Sequence, residues 1–324
     1  MSNQINKQIS FLIPQFLRSE DVDDFFYEQQ GTVEEVLLLG PQVPMAAKLS
    51  QYLVNQDRIC LELVHLHATR DHIVLMDPRI MQIQAQEELA LRQSVTETLE
   101  HFLGTEGEFF PDRWIYPAKA FAELKTHTPL QAMGLNIDIW MPKDQNSTGL
   151  AKKWRQLQNE IQMIWHDHPV NQEREAKGQL SVNSIWLYGI GQVSQIAPHP
   201  ILQDVTKIYS QHPIQLDNRM VSLPMSNIPD LSSMEDEHHL VFAQDLSPSD
   251  WQGCWSSSLE ALAEKKLQQI QLLKMHEGIL HQHRLTQDDI KFSFWKKLLP
   301  QKKPNHSGLS DWMEYSKKLS WIPL

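Results

Sequence analysis

The residues best able to do chemistry in this chain of 324 are its 15 histidines. Three pairs are spaced i, i+2: His65 and His67, His166 and His168, His281 and His283. On a strand that spacing puts both imidazoles on one face; on a helix it sets them ~200° apart. The pair at 166 and 168 falls at a helix end and chelates badly unless the last turn unwinds. No HExxH occurs, and Cys60 and Cys254 stand apart with no CxxC partner, so a thiolate zinc cluster is not available. Nucleophile motifs are equally thin. There is no GxSxG elbow and no Walker A loop, and the SxxK string Ser293 to Lys296 lacks its SDN and KTG companions. Gly189-Ile190-Gly191 follows a strand as a dinucleotide fingerprint would, but Ser194 stands where the third glycine belongs.

One constellation remains, over 159–191. Asn171 and Arg174 lie one helical turn apart and can face one pocket. Arg174 offers a planar donor fork that suits a carboxylate or a phosphate, while Asn171 and Asn183 can cap turns or hold a ligand. The competing reading is structural: Asn171 caps a short helix and Arg174 pairs with Glu175 or Asp167. The candidate ligand-binding set is His168, Asn171, Arg174, Asn183, Trp186, Gly189 and Gly191, with no catalytic residue and no metal ligand assigned. The expected arrangement brings Asn171, Arg174, Asn183 and Trp186 together, with the two glycines at the carboxyl end of their strand, where open α/β sheets gather ligands.

The elements that position these residues are legible as periodicities. Leu150, Trp154, Leu157, Ile161 and Ile164 recur at helical spacing, and Pro169 ends that helix because it disfavours helical geometry at His168. Gln172 to Lys177 adds about one turn before Gly178, and Val182 to Tyr188 reads as a strand. Upstream, the spacing predicts a strand at Gln8 to Ile13, a helix at Met45 to Val54, a strand at Ile73 to Met76 and one helix over Ala85 to Leu103. An extended segment follows at Glu108 to Tyr116. Downstream, it predicts a helix at Leu202 to Tyr209 and a strand at His239 to Gln244. A long helix over Ser249 to Lys274 has Ser249 as its cap, and a strand at Ile279 to Arg284 and a basic aromatic element at Phe292 to Leu299 follow. Strands alternating with helices argue for an α/β layered fold. The expected organisation is one domain over 1–299, then a linker and tail over 300–324.

Composition narrows the function classes. With 29 basic against 40 acidic residues the chain carries a formal charge of −11, a poor match for nucleic acid. Its 12 glycines are about half the usual ~7 %, which disfavours a glycine-rich nucleotide loop. No apolar run approaches the ~20 residues of a membrane span, and the N-terminal apolar stretch before Pro14 is too short for a signal peptide. The cysteines read as reduced thiols, so the expected location is the cytoplasm.

The segment His168-Pro169-Val170-Asn171, Arg174, Gly178, then Asn183-Ser184-Ile185-Trp186-Leu187-Tyr188-Gly189-Ile190-Gly191, resembles archaeal-type cofactor-independent phosphoglycerate mutases. It is closer still to the bacterial RpfE-type regulatory, or phosphoglycerate mutase-like, proteins. Softer counterparts are Val64-His65-Leu66, Arg113-Trp114-Ile115-Tyr116, Thr128-Pro129-Leu130, Asn159 to Met163 and Phe294-Trp295-Lys296-Lys297, so the resemblance spans about residues 60–299. It implies an alkaline-phosphatase-like α/β fold. Mutases of that family hold two divalent metals with aspartates and histidines, which polarise phosphoryl oxygens and activate a Ser or Thr nucleophile. Their first strand ends in Asp-Gly; here Phe11-Leu12-Ile13 runs into Pro14-Gln15. Their Gly-His metal step is absent, and Asp245, after the strand at 239–244, is one remaining candidate ligand, which alone does not hold a metal pair. The resemblance therefore implies a silent relative with a regulatory or ligand-binding role, for a small phosphorylated or carboxylic acid or a regulatory protein partner. The alternative is an active phosphatase or mutase taking divalent metal from His65, His67, Asp71 and Asp77.

Overall fold

The computed structural model describes residues 7–13, 29–52, 55–146, 148–210, 221–223, 237–243, 246, 248–276, 279–290, 320 and 322–323. The fold is mixed α/β, a multistranded sheet with flanking helices, as the alternation of elements implies. The sequence led us to expect one domain over 1–299; contacts gather the chain into two compact units, Tyr27–His199 and Met1–Phe26 with Pro200–Leu324. Among the described residues no helix is long and apolar enough to cross a membrane.

In the discontinuous unit the strands are β1 (Gln8–Leu12), β10 (Lys207–Tyr209), β11 (Val221–Leu223), β12 (His238–Phe242), β13 (Gln269–His276), β14 (Ile279–Thr286) and β15 (Ile322–Pro323). They form one sheet in the order β11-β10-β12-β1-β13-β14-β15, parallel from β11 to β13 and antiparallel beyond. Ile9, Phe11, Val241, Ile270, Leu272 and Leu285 make an apolar face that buries Trp251, Trp255, Leu259 and Leu262 of the helix Pro248–Ala263. The Phe11 ring meets Trp251 edge-on at 5.1 Å.

In the continuous unit β2 (Arg58–Val64), β5 (Glu108–Phe109), β6 (Arg113–Pro117) and β9 (Ser184–Gly191) form an antiparallel sheet, order β5-β6-β2-β9. Short strands β3 (Leu66–Ala68) with β4 (Ile73–Leu75), and β7 (Leu124–Lys125) with β8 (Lys143–Asp144), make two small ribbons. Its helices are α1 (Val33–Leu39), α2 (Met45–Leu49), α3 (Ala85–Ser94), α4 (Thr96–Leu103), α5 (Pro129–Ala132), α6 (Leu150–His166) and α7 (Pro169–Ala176). Side chains alternate across a strand, so Ile59, Leu61, Leu63, Trp114, Ile185 and Leu187 face one side. There they pack on Leu91, Val95, Leu99, Trp154, Leu157, Ile161 and Trp165.

Several expectations need correction. Leu202 to Tyr209 is not a helix: one 3-10 turn at Pro200–Leu202 gives way to β10, whose Ile208 and Tyr209 are buried in the sheet. The helix expected over Ser249 to Lys274 stops at Ala263, and Gln269–His276 is the strand β13. Lys265, at φ +62°, turns the chain between them. Ser249 is the second residue of that helix, so it does not cap it. Ala85 to Leu103 is two helices, broken where Val95 adopts φ −119°, ψ 12°. Ile164, counted in the apolar stripe of the helix at Leu150, is exposed. Phe292 to Leu299, the SxxK string, Asp245 and all of 300–324 except residues 320 and 322–323 lie outside the described residues.

Candidate functional site

The signature segment begins where α6 ends. Pro169 starts α7 at its first turn, where its missing N–H costs nothing. The cap is His168, not Asn171: its Nδ1 accepts the Val170 N–H at 3.2 Å. Burial lowers the His168 pKa, which favours the neutral ring that this acceptor role needs.

Asn171 is buried and bonded at every heavy atom of its amide. Its NH2 group donates to Trp165 O at 2.8 Å and Val182 O at 2.9 Å, and its Oδ1 accepts the Val182 N–H at 2.7 Å. It clips the end of α6 to the approach of β9. Arg174, 1 % exposed, pairs with neither Glu175 nor Asp167. Its Nε donates to Leu180 O at 2.7 Å, Nη1 to Glu87 Oε2 at 2.7 Å and Nη2 to Met81 O at 2.5 Å. Gln82, at φ +46°, turns the backbone just after that Met81 carbonyl.

Asn183 copies a strand pairing with its side chain. Oδ1 accepts the Leu66 N–H at 2.7 Å and Nδ2 donates to Leu66 O at 2.9 Å. Trp186, buried in β9, donates Nε1–H to His127 O at 2.8 Å. Gly189 and Gly191 lie inside β9 near its carboxyl end, at φ +67° and +151°. A Cβ on Gly189 would sit 2.8 Å from Met45 Cβ, and one on Gly191 2.8 Å from Pro44 Cβ. These glycines let the α2 region approach the strand. Asn171, Arg174 and Asn183 thus gather at the amino end of β9. At about 3.3 Å per residue, Gly191 is about 23 Å from Ser184 along the strand. The seven residues occupy two regions rather than one pocket, and their polar groups are engaged with the chain itself.

Among the described residues no two-metal centre is assembled. Ile13 and the buried Ala243 follow β1 and β12. Both carboxylate oxygens of Asp77 take N–H groups of Arg79, at 2.7 and 2.6 Å. His65 Nδ1 lies 2.8 Å from Ser181 O. Among the described residues no group of three or more His, Cys, Asp or Glu is disposed to hold an ion.

Two polar clusters went unread in the sequence. In the parallel sheet, Ser10 Oγ lies 2.7 Å from His238 Nε2 and donates to Gln271 Oε1 at 2.9 Å; Gln271 Nε2 donates in turn to Gln282 Oε1 at 2.5 Å. With Ser10's proton committed to Gln271, His238 is the donor, and its Nε2 carries the hydrogen. Desolvation pulls the His238 pKa down to about 4.

The second cluster is on the face of the continuous unit's sheet opposite the apolar core. Glu62 of β2 stands in register with Arg113 of β6 and Trp186 of β9. Tyr188 OH donates to Glu62 Oε2 at 2.7 Å, and burial raises that carboxyl's pKa to about 7. Arg113 grips both oxygens of Asp112 through Nε and Nη2. Nearby Glu35 is pushed up by burial while its Oε2 accepts from Thr32 N–H at 2.8 Å and Thr128 Oγ1 at 2.6 Å. The signal available in the sequence was one acid in the apolar strand Arg-Ile-Cys-Leu-Glu-Leu-Val. Alternation puts Glu62 on the face with Cys60, whose thiol desolvation raises to about 12 and so leaves inert.

No protein-family model and no curated protein matches this chain. Among solved structures it is similar to the cofactor-independent phosphoglycerate mutase of Thermoplasma acidophilum, at 13 % identity and a TM-score of 0.34, over 87 % of this chain and 90 % of that one. A Pyrococcus horikoshii protein is similar at 9 % identity and a TM-score of 0.38, over 84 % and 82 % of the respective chains.

Proposed function

We propose that this chain is a catalytically silent, phosphoglycerate mutase-like protein of alkaline-phosphatase-like descent, with a regulatory or ligand-binding role. The observation that carries the reading is the pair of apolar residues, Ile13 and Ala243, after β1 and β12. In the family that the sequence resembles, the first strand ends in a metal-binding Asp-Gly pair. Carboxyl ends of parallel strands are where such folds assemble chemistry. A side chain without a lone pair there neither binds a cation nor polarises a phosphoryl oxygen.

The signature segment keeps a structural task in this reading. Asn171, Arg174 and Asn183 weld α6, α7 and β9 to the turn at Met81 and to Leu66, so the motif persists as scaffold after its chemistry is gone. The test is turnover of 3-phosphoglycerate and of a generic phosphomonoester with manganese, cobalt or zinc added. The expected outcome is no rate above background with any of them. A metal-dependent rate well above background with any of them overturns the proposal.

A further inference from the structure

The structure separates the i, i+2 histidine pairs from one another. His166 ends α6 and His168 spends Nδ1 on the Val170 N–H, so those two rings do not converge. His65 and His67 differ. Only His65 lies between β2 and β3; its carbonyl takes the Met76 N–H, and His67 stands in register with Val74. Alternation along this extended stretch puts both imidazoles on one side. There they stack, with centroids 6.1 Å apart and planes 28° from parallel. His67 is exposed and His65 half-buried, so solvent reaches both.

Their nitrogens are not equivalent. His65 Nδ1 lies 2.8 Å from Ser181 O, with Ser181 Oγ farther off at 3.5 Å. A carbonyl can only accept, so Nδ1 carries the hydrogen and Nε2 keeps the lone pair. A metal-ligating histidine almost always donates its second N–H in this way, which fixes its tautomer and its orientation. Neither His65 Nε2 nor either nitrogen of His67 has a hydrogen-bond partner among the described residues. The pair thus offers one fixed donor nitrogen and one on an exposed ring that turns without giving up a bond.

We propose that His65 and His67 form a surface site for one late first-row divalent ion, copper or zinc, with water in the remaining positions. Imidazole suits these ions, whereas magnesium and manganese prefer carboxylate and carbonyl oxygens. With metal–nitrogen bonds of ~2.0–2.1 Å, two ligating nitrogens stand no more than about 4 Å apart, so the His67 ring turns towards His65 on binding. No third His, Cys, Asp or Glu joins the pair among the described residues. One ion on two imidazoles is not the metal pair that phosphoryl transfer uses, so this inference does not rest on the silent reading.

The test titrates the full chain with copper and zinc chloride by calorimetry, with magnesium and manganese chloride as competitors. The variants are His65→Ala, His67→Ala and, as an exposed histidine elsewhere, His166→Ala. One copper equivalent binds the wild type at least about tenfold more tightly than it binds either site variant. His166→Ala matches the wild type, and neither magnesium nor manganese competes. Electron paramagnetic resonance of the copper complex shows two imidazole nitrogens in the wild type and one in His67→Ala. His67 is exposed, so its removal leaves the melting temperature of the metal-free chain unchanged and separates a lost ligand from a lost fold. Equal affinity in wild type and His67→Ala, or an equal loss in His166→Ala, means an adventitious ion only and overturns the proposal. Displacement of copper by magnesium or manganese overturns it too. Copper or zinc binding without turnover supports this site and leaves the silent reading standing; a metal-dependent rate sinks that reading alone.

Discussion

Arg174 Nη1 stands 2.7 Å from Glu87 Oε2, so the second helix of the signature is bolted to α3 rather than to an acid of its own helix. The same guanidinium satisfies two backbone carbonyls, Leu180 O and Met81 O. Arg174→Ala should cost roughly 3–5 kcal/mol, because it leaves those carbonyls and a carboxylate without their partner. Arg174→Lys should recover less than half of that, since an ammonium cannot reproduce three directions of a planar fork. Urea titrations of the three proteins measure both. An alanine variant within 1 kcal/mol of the wild type would contradict this role.

Asn171 presents a sharper chemical test. Asn171→Asp keeps the volume but replaces two N–H donors by acceptors that face Trp165 O and Val182 O. Its penalty should exceed that of Asn171→Ala, which removes the bonds without adding repulsion. Each orphaned buried group costs ~1–3 kcal/mol. Denaturation midpoints for the two variants settle the order.

Gly189 and Gly178 share a left-handed backbone, at φ +67° and +72°, but not the same surroundings. A Cβ at Gly178 meets nothing within 4 Å, whereas at Gly189 it meets Ala46 N at 2.9 Å as well as Met45 Cβ. Gly178→Ala should cost only the strain of the conformation, ~1–2 kcal/mol. Gly189→Ala should cost clearly more and shift α2, seen as loss of protection of its amides in hydrogen exchange.

Two desolvated groups give the two units opposite responses to pH. The folded-state pKa of Glu62, about 7, lies above its ordinary value of 4.5, so the folded form holds more protons between these values. Its contribution therefore declines as pH rises from ~4.5 to ~7 and is level beyond. His238, drawn from 6.5 down to about 4, does the reverse: the unfolded form binds the proton first, and stability is lost as pH falls from ~6.5 to ~4. Glu62→Gln should flatten the first slope only. Melting temperature against pH for wild type and variant, with nitrogen NMR of His238 showing the Nε2–H tautomer, checks both.

How much of this was readable depended on where the deciding force lay. The helix at Leu150 was legible because one stripe of large apolar residues recurs over four turns, and its end was written in Pro169. The break between Ala263 and β13 was not, because the turn is carried by Lys265 with no glycine or proline to mark it. Ile270 and Leu272 continue the apolar spacing of the preceding helix closely enough to pass as another turn. Within the signature, the sequence identified the right residues but not their partners. Glu87 and Met81 lie about ninety positions from Arg174, and pattern reasoning reaches only neighbours.

The placement of β1 has a consequence for biogenesis. Residues 8–12 lie in the sheet's interior between β12 and β13, so Ser10 meets Gln271, 261 positions later. During synthesis this short apolar segment leaves the ribosome long before either neighbouring strand exists. The continuous stretch 27–199 contains all four strands of its own sheet and can close first. Contacts at such sequence separation slow folding, and an unpaired apolar strand is a hazard while it waits. The slowest and most chaperone-dependent step in the life of this chain should therefore be the late capture of its first strand.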